Sequence, residues 1–146
     1  MCGGGKWNVG CVLEKARMLA ESVEDLEVYK LAFTLQRQIF RITKTFPKEE
    51  MYSLTDQIRR SSRSVGANIR EAWAKRRYPA HFTSKLSDSD GESEETIHWI
   101  LSAHDCGYID IKTQNELKAG YRHICGMLNK MMNNSASWCK HYTKNK

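Results

Sequence analysis

The chain has 146 residues, and 23 Lys and Arg against 17 Asp and Glu give a formal net charge of +6 at pH 7. Hydrophobic residues make up 40% and charged residues 27% of the sequence, which is typical of folded globular domains and too apolar for a disordered chain. No segment approaches the roughly 20 apolar residues that span a bilayer, and neither a secretory leader nor a collagen repeat is present, so we expect a cytoplasmic protein.

The five cysteines do not predict a disulfide framework or a metal site. Their number is odd and no CxxC spacing occurs, whereas zinc sites in short sequences use closely paired ligands. Three His/Cys pairs lie two residues apart, which on a helix separates the side chains by about 200°. They are His104 with Cys106, His123 with Cys125, and Cys139 with His141. We therefore expect reduced thiols and no cofactor or metal.

Periodicity divides the chain into three parts. Residues 1–22 are Gly-rich at the start and carry no apolar pattern, so we expect a flexible N-terminal extension. Residues 23–134 carry the organised helical patterns. Residues 135–146 are polar and basic apart from Trp138, and we interpret them as a basic C-terminal tail.

The first predicted helix runs from Leu26 to Phe46, with Asp25 as its cap and Pro47 ending it. Two adjacent stripes recur at helical spacing and together form a wide apolar face that suits contact with two neighbours. The first comprises Tyr29, Phe33, Gln36, Phe40 and Thr43, and the second comprises Val28, Leu35, Ile39, Ile42 and Phe46.

The second predicted helix begins near Ser53 or Thr55 and reaches about Arg77. Its apolar seam alternates steps of four and three residues, as in a coiled coil. The seam contains Leu54, Ile58, Ser61, Val65, Ile69 and Ala72. Small residues line it, so another helix can approach closely, and a packing reason is expected for Gly66 because glycine costs a helix about 1 kcal/mol relative to alanine.

Two further helices complete the pattern. Pro79 favours the first turn of a third helix that extends to about Cys106 and stops at Gly107, although the run SDSDGES at 87–93 is locally a poor helix former. Asp110 or Thr113 opens a fourth helix, whose inner face is Leu117, Tyr121, Ile124, Leu128 and Met131. Four helices with short connections and no strand pattern predict an all-α, up-down four-helix bundle.

The second helix, DQIRRSSRSVGANIREAWAKRRY at 56–78, resembles the four-helix-bundle family encoded in intervening sequences of bacterial 23S ribosomal RNA genes. The family hallmark is a Gln-Ile-Arg-Arg run, then small residues, then Asn-Ile-x-Glu and a basic end. The residues that match it are Gln57, Ile58, Arg59, Arg60, Ser64, Asn68, Ile69, Glu71 and Arg77. Supporting segments lie at 25–32, 46–54, 81–100 and 106–109, so the resemblance covers about residues 25 to 132.

The resemblance implies a homo-pentamer with a central channel and no known catalytic activity. Similar accessory proteins of diversity-generating retroelements form such pentamers and bind nucleic acid and a reverse transcriptase. Two departures concern the surface. Arg70, Glu71 and Ala72 stand where the family usually has Ala-Glu-Gly, and an acidic, serine-rich run replaces an Ala-Gly-Ser core in the third helix.

Positive charge is concentrated on one side of the second helix. At about 100° per residue, four arginines fall within roughly 40° of each other: Arg59, Arg63, Arg70 and Arg77. This arginine stripe, extended by Lys75 and Arg76, predicts a phosphate-binding surface for nucleic acid, because guanidinium forks match phosphate oxygens. The alternative interpretation is that acids of the third helix neutralise the stripe.

Aromatic residues leave the choice open. Exposed rings between basic residues are typical of single-strand binding, and Trp73, Tyr78, Trp99 and Trp138 are candidates. For Trp73 and Trp99 we favour packing at helix or subunit contacts.

A second polar set gathers residues that match the family pattern: Arg60, Asn68, Glu71, Glu92 and Glu95. We interpret it as a structural network that fixes helix register or subunit pairing, since buried charges must be paired. A functional pocket is the alternative.

Enzymatic activity is not expected. A di-iron bundle needs two Glu-x-x-His motifs, and only Glu95 to His98 provides one. No phosphate-binding loop, nucleophile elbow or dinucleotide motif is present. The sequence therefore predicts a non-catalytic, oligomeric bundle that binds RNA or DNA through basic surface. The alternative is an oligomeric scaffold for an unknown protein partner.

Overall fold

The computed structural model describes residues 20–140 and Tyr142, and all regular structure within them is helical. The helices are α1 (Glu27–Thr43), α2 (Leu54–Ala74), α3 (Pro79–Asp105), α4 (Ile111–Asn133) and the short α5 (Ser135–Lys140), with 3-10 turns at Val23–Asp25 and Lys48–Glu50. The predicted extension lies outside the described residues up to position 19, as do His141 and the last four residues of the tail.

The four long helices form a closed bundle. Each packs against the next in the chain, and α4 also packs against α1, with the most extensive interface between α2 and α3. The predicted all-α four-helix bundle is confirmed. No helix in the described part of the chain is both long and apolar enough to cross a bilayer.

The core is built from the predicted seams of α2 and α4 together with one face of α3. Every member of the α4 pattern is buried, and Tyr121 at its centre has no exposed surface. Across from it lie fully buried side chains of the other two helices: Ile58, Val65, Ile69, Phe82, Leu86 and Ile100. Burial of these side chains contributes roughly 1.5–3 kcal/mol each before entropy is counted.

On α1, the structure corrects the predicted apolar face. Val28, Leu35 and Ile39 enter the core, whereas Phe33 and Phe40 remain 43% and 37% exposed. The neighbours of α1 in the bundle are α2 and α4, and they cover the narrower face. The prediction that both stripes are covered within the bundle is therefore wrong at these two rings.

Helix ends differ from prediction where side chains cap neighbouring turns. Asp25 accepts hydrogen bonds from the backbone N–H groups of Ser22 and Glu21, at 2.9 and 3.0 Å, so α1 begins at Glu27 instead of Leu26. The backbone N–H of Leu54 donates to Glu50, at 3.2 Å, and no serine side chain caps α2. Helix α2 ends at Ala74, three residues before the predicted end.

The ends of α3 and the start of α4 follow the sequence signals. Pro79 occupies the first position of α3, and Gly107 beyond its end has φ +77°, a conformation that favours glycine. Asp110 caps α4, because its side chain accepts a 2.7 Å hydrogen bond from the backbone N–H of Thr113. The predicted start and end of α3 and the predicted start of α4 are thus confirmed.

Helix α3 continues without interruption through the SDSDGES run. Ser89 and Ser93 are buried, and the Ser89 hydroxyl donates to the backbone carbonyl of Val65 in α2 at 2.8 Å. Two turns on, the Thr96 hydroxyl donates to the Ser61 hydroxyl of α2 at 2.9 Å. Close contact with α2 thus stabilises a segment whose intrinsic helix propensity is low.

The folded unit extends past the predicted bundle boundary at 134. In α5, Cys139 is buried and Trp138 packs against the core. The Trp138 ring meets the Trp73 ring edge-on, with centroids 6.4 Å apart. At least residues 135–140 are therefore part of the bundle rather than of a separate basic tail.

Candidate functional site

Two members of the arginine stripe converge on a ring of the neighbouring helix. Arg59 and Arg63 of α2 lie over Phe40 of α1, with guanidinium carbons 5.0 and 5.8 Å from the ring centroid. Arg59 is held there because its Nε donates a 2.7 Å hydrogen bond to the hydroxyl of Thr43. Arg63 is exposed to solvent.

Helix α1 supplies the remaining cations of this surface. The Lys44 Nζ lies 4.7 Å from the Phe40 centroid, and the Arg37 guanidinium carbon lies 5.8 Å from the Phe33 centroid. We call the set of Phe33, Arg37, Phe40, Lys44, Arg59 and Arg63 the cation–aromatic face. Within residues 20–140 and Tyr142, no carboxylate forms an ion pair with any of its four cations.

A shallow groove of about 560 Å³ adjoins this face along α2. Arg59 and Arg63 line it, and so does Tyr52, which is 93% exposed in the connection before α2. Asp56 is the acidic residue in the lining. The two arginines therefore contact the Phe40 ring and also line the groove that Tyr52 lines.

Arg70 belongs to a different environment from the rest of the stripe. It forms an ion pair with Glu24, donates a 3.2 Å hydrogen bond to the Tyr29 hydroxyl, and lies over the Tyr29 ring at 5.2 Å. The hydrogen bond from Arg70 holds the pKa of Glu24 below its usual range. The positive charge of Arg70 is thus compensated by Glu24 in the turn that precedes α1.

The basic end of the predicted stripe lies beyond the last turn of α2. Since the helix ends at Ala74, Arg77 is not on the same helical face as Arg59, and it lies near the Tyr78 ring instead. Arg76 packs on Trp73, 3.5 Å from the ring centroid, and donates to the Trp73 carbonyl at 2.8 Å. Lys75 is exposed at the C-cap.

The acids of α3 pair away from the cation–aromatic face. Glu94 pairs with Arg122 of α4, Asp88 lies 3.5 Å from Lys85 on its own helix, and Glu95 pairs with Arg60 at 2.9 Å. In the described part of the chain, their ion pairs involve none of the predicted stripe arginines. Arg59 and Arg63 consequently keep uncompensated positive charge.

The predicted polar set comes together only in part. Arg60 meets Glu95, whose carboxylate also accepts from the Trp99 indole at 3.2 Å. Burial and the neighbouring Glu95 carboxylate raise the pKa of Glu92. Two members lie apart from this cluster: Asn68 donates to the Ser64 carbonyl of its own helix, and Glu71 pairs with Lys85.

No group of three His, Cys, Asp or Glu side chains in the described range is arranged to hold a metal ion. Cys125 and Cys139 are buried free thiols, and burial raises the pKa of the Cys125 thiol to about 12. Burial therefore does not activate either thiol as a nucleophile, since a reactive cysteine has a lowered thiol pKa.

Sequence reasoning missed the part of the surface that α1 contributes. It assigned Phe33 and Phe40 to a wide apolar face that contacts two neighbours, and it did not single out Arg37, Lys44 or Tyr52. A signal was available: Phe33, Arg37, Phe40 and Lys44 recur at four- and three-residue steps and so share one helical face. A basic residue one turn from each ring is unusual for a face that packs inside a bundle.

Comparison with known proteins gives a family match over most of the chain. A family model described as 23S rRNA-intervening sequence protein matches residues 24–130. No curated protein matches the chain. Among solved structures, it is similar to a protein of unknown function from the S23 ribosomal protein family of Bacteroides thetaiotaomicron. That protein is 25% identical, with a TM-score of 0.66, and the likeness covers 72% of this chain and 97% of the other.

Proposed function

Because the chain belongs to the family of 23S rRNA-intervening sequence proteins, whose members share this bundle, we propose that it is a non-catalytic protein that binds nucleic acid through the cation–aromatic face. The contacts are electrostatic and directed at phosphates. Binding of this kind has modest sequence specificity, since phosphates carry no direct sequence information.

One observation carries the proposal: three cations surround Phe40, and no carboxylate among the described residues forms an ion pair with any of them. Lys44, Arg59 and Arg63 each have their charged group within 6 Å of the same ring centroid. Like charges held this close repel each other, and the ring quadrupole offsets that repulsion only in part. An anion bound between them relieves the repulsion, and a guanidinium fork can hold phosphate oxygens in a bidentate geometry.

Assembly would strengthen the interaction. The homo-pentamer implied by the family resemblance repeats the cation–aromatic face five times, and linked sites gain apparent affinity without any new contact. The mass of the particle in solution is therefore measured with every binding experiment.

The test is a titration of labelled duplex DNA and RNA at several salt concentrations, with wild type and Arg37→Glu/Arg63→Glu. Both arginines are exposed and neither makes a hydrogen bond in the described structure, so the variant should fold. We expect wild-type affinity to fall steeply with salt. The slope of log affinity against log salt should fall by about one for each lost phosphate contact.

The matched control is Lys112→Glu/Lys130→Glu, which changes the net charge equally on exposed positions of α4. It should lose much less affinity than the α1–α2 variant. Equal losses would mean that overall charge, not this face, drives binding. No binding at low salt by a folded wild-type oligomer would overturn the proposal and favour a protein-binding scaffold.

A further inference from the structure

Three aromatic rings are exposed beside the cations, although a bundle of this size can bury its large apolar side chains. Phe33, Phe40 and Tyr52 are 43%, 37% and 93% exposed. By contrast, the aromatic candidates that the sequence suggested at Trp73 and Trp138 pack against each other. Among the described residues, three of the four exposed aromatic rings therefore lie at or beside the cation–aromatic face, and the fourth, Tyr78, lies beyond the end of α2.

The rings and cations alternate across the surface. On α1, Phe33 and Phe40 are seven residues apart, which is two helical turns or about 10 Å, and Arg37 lies between them. On α2, Arg59 and Arg63 lie over Phe40 and also line the groove to which Tyr52 contributes. Each ring consequently has a basic side chain beside it.

This alternation matches the chemistry of an unpaired strand. A single strand presents a phosphate next to a base with a free face, and every base can stack on an aromatic ring irrespective of sequence. A duplex presents the same phosphates but keeps its bases stacked on each other. Cations alone would serve either ligand, so the exposed rings are the feature that discriminates between them.

We infer that the ligand of this surface is single-stranded nucleic acid, whose bases stack on Tyr52, Phe33 and Phe40 while its phosphates contact Arg37, Arg59 and Arg63. The inference rests on the proposed function and specifies which nucleic acid it takes. Charge complementarity supports this occupant, because the groove and the adjoining face carry Asp56 as their one acid among the described residues that form them.

The experiment compares three probes of equal length at one salt concentration: a mixed-sequence single-stranded RNA, the corresponding duplex, and an abasic strand that keeps the sugar–phosphate backbone. Wild type should bind the single strand more tightly than either of the other two probes. Stacking of one base corresponds to about a 5- to 150-fold gain in affinity. The affinity for the abasic strand should therefore be lower by at least about 5-fold.

Tyr52→Ala tests the stacking contribution without endangering the fold, since the side chain is 93% exposed. It should weaken single-strand binding by about 5-fold or more and leave abasic-strand binding and the salt slope unchanged. Tyr52→Phe should restore the affinity. Tyr78→Ala, at an exposed tyrosine after α2, is the matched control and should bind like wild type.

The outcomes separate the two proposals. Equal affinity for the base-bearing and abasic strands, or tighter binding of the duplex, would overturn the single-strand inference while leaving phosphate binding in place. Failure to bind any of the three probes would overturn both. A loss in Tyr78→Ala as large as in Tyr52→Ala would also overturn the assignment of stacking to this surface.

Discussion

Adjacent residues of α1 show that the surroundings of an apolar side chain determine whether it is buried in the core or exposed at the surface. Ile39 is fully buried, whereas Phe40, one residue on, points to the surface and is 37% exposed. Its ring is covered by basic side chains of α1 and α2 rather than by apolar ones. Long Lys and Arg side chains can cover a ring with their stems while the charged end stays in water.

Glycines in the bundle should respond to alanine substitution according to the space beside them. A Cβ on Gly120 of α4 would lie 2.8 Å from a methyl group of the buried Leu35, whereas a Cβ on Gly126 of the same helix meets nothing within 4 Å. Gly126→Ala should stabilise the protein by up to about 1 kcal/mol. Gly120→Ala should be less stable than Gly126→Ala by about 1–3 kcal/mol because of overpacking.

Urea denaturation of both variants measures this difference, and equal free energies of unfolding would contradict it. Gly66 gives a further comparison. An added Cβ there would be in ordinary contact, 3.8 Å from the Tyr29 ring. The expected packing reason for glycine at this position is therefore absent, and Gly66→Ala should resemble Gly126→Ala.

At the scale of the element, α3 shows tertiary contact overriding local preference. Its serine-rich run is helical because Ser89, Ser93 and Thr96 are buried, with Ser89 and Thr96 bonded to α2. Small side chains allow the two helix axes to approach closely. The poor helix formers are thus residues that lie in the most extensive interface of the bundle.

Substitution of these serines should depend on which side of α3 they occupy. Ser89→Leu inserts a large side chain into the α2–α3 interface and removes the hydrogen bond to Val65, so we expect a loss of about 2–4 kcal/mol. Ser87→Leu makes the same chemical change at an exposed position and should stay within about 0.5 kcal/mol of wild type. Thermal denaturation checks both, and similar melting temperatures for the two variants would contradict the interface.

Across the described part of the molecule, none of the ion pairs involves a cation of the cation–aromatic face. The acids of α3 pair with Arg60, Lys85 and Arg122, and the turn before α1 pairs with Arg70. The positive charge of the cation–aromatic face is what these pairs leave over. Surface ion pairs of this kind contribute little to stability, so their larger effect is on where the molecule attracts anions.

The chain after α4 is part of the same folded unit. Trp138 packs on the bundle beside Trp73, whose other side carries Arg76. Because Trp138 is only partly buried, Trp138→Ala should destabilise the protein by about 2 kcal/mol, below the 3–5 kcal/mol of a fully buried tryptophan. Trp138→Phe retains a ring and should lose less. Unchanged unfolding of Trp138→Ala would contradict the packing of α5.

Helical periodicity was sufficient to predict the four long helices, the seams of α2 and α4, and the bundle, because a repeating 3.6-residue pattern indicates which residues are buried. The sequence also identified Pro79, Gly107 and Asp110 as helix boundaries, since each acts through its own backbone or a neighbour three residues away. Short-range geometry of this kind needs no knowledge of the partner helix.

Among the described residues, contacts between helices determine which cations have a carboxylate partner. Arg59 and Arg70 share one helical face in sequence, yet Arg59 meets Phe40 while Arg70 meets Glu24, 46 residues away. A side chain's charge is compensated by whatever folding brings beside it, and helical periodicity does not contain that information. The same reason explains why Phe33 and Phe40 were predicted on a packing face: two apolar stripes are visible in sequence, but α2 and α4 leave these two rings exposed.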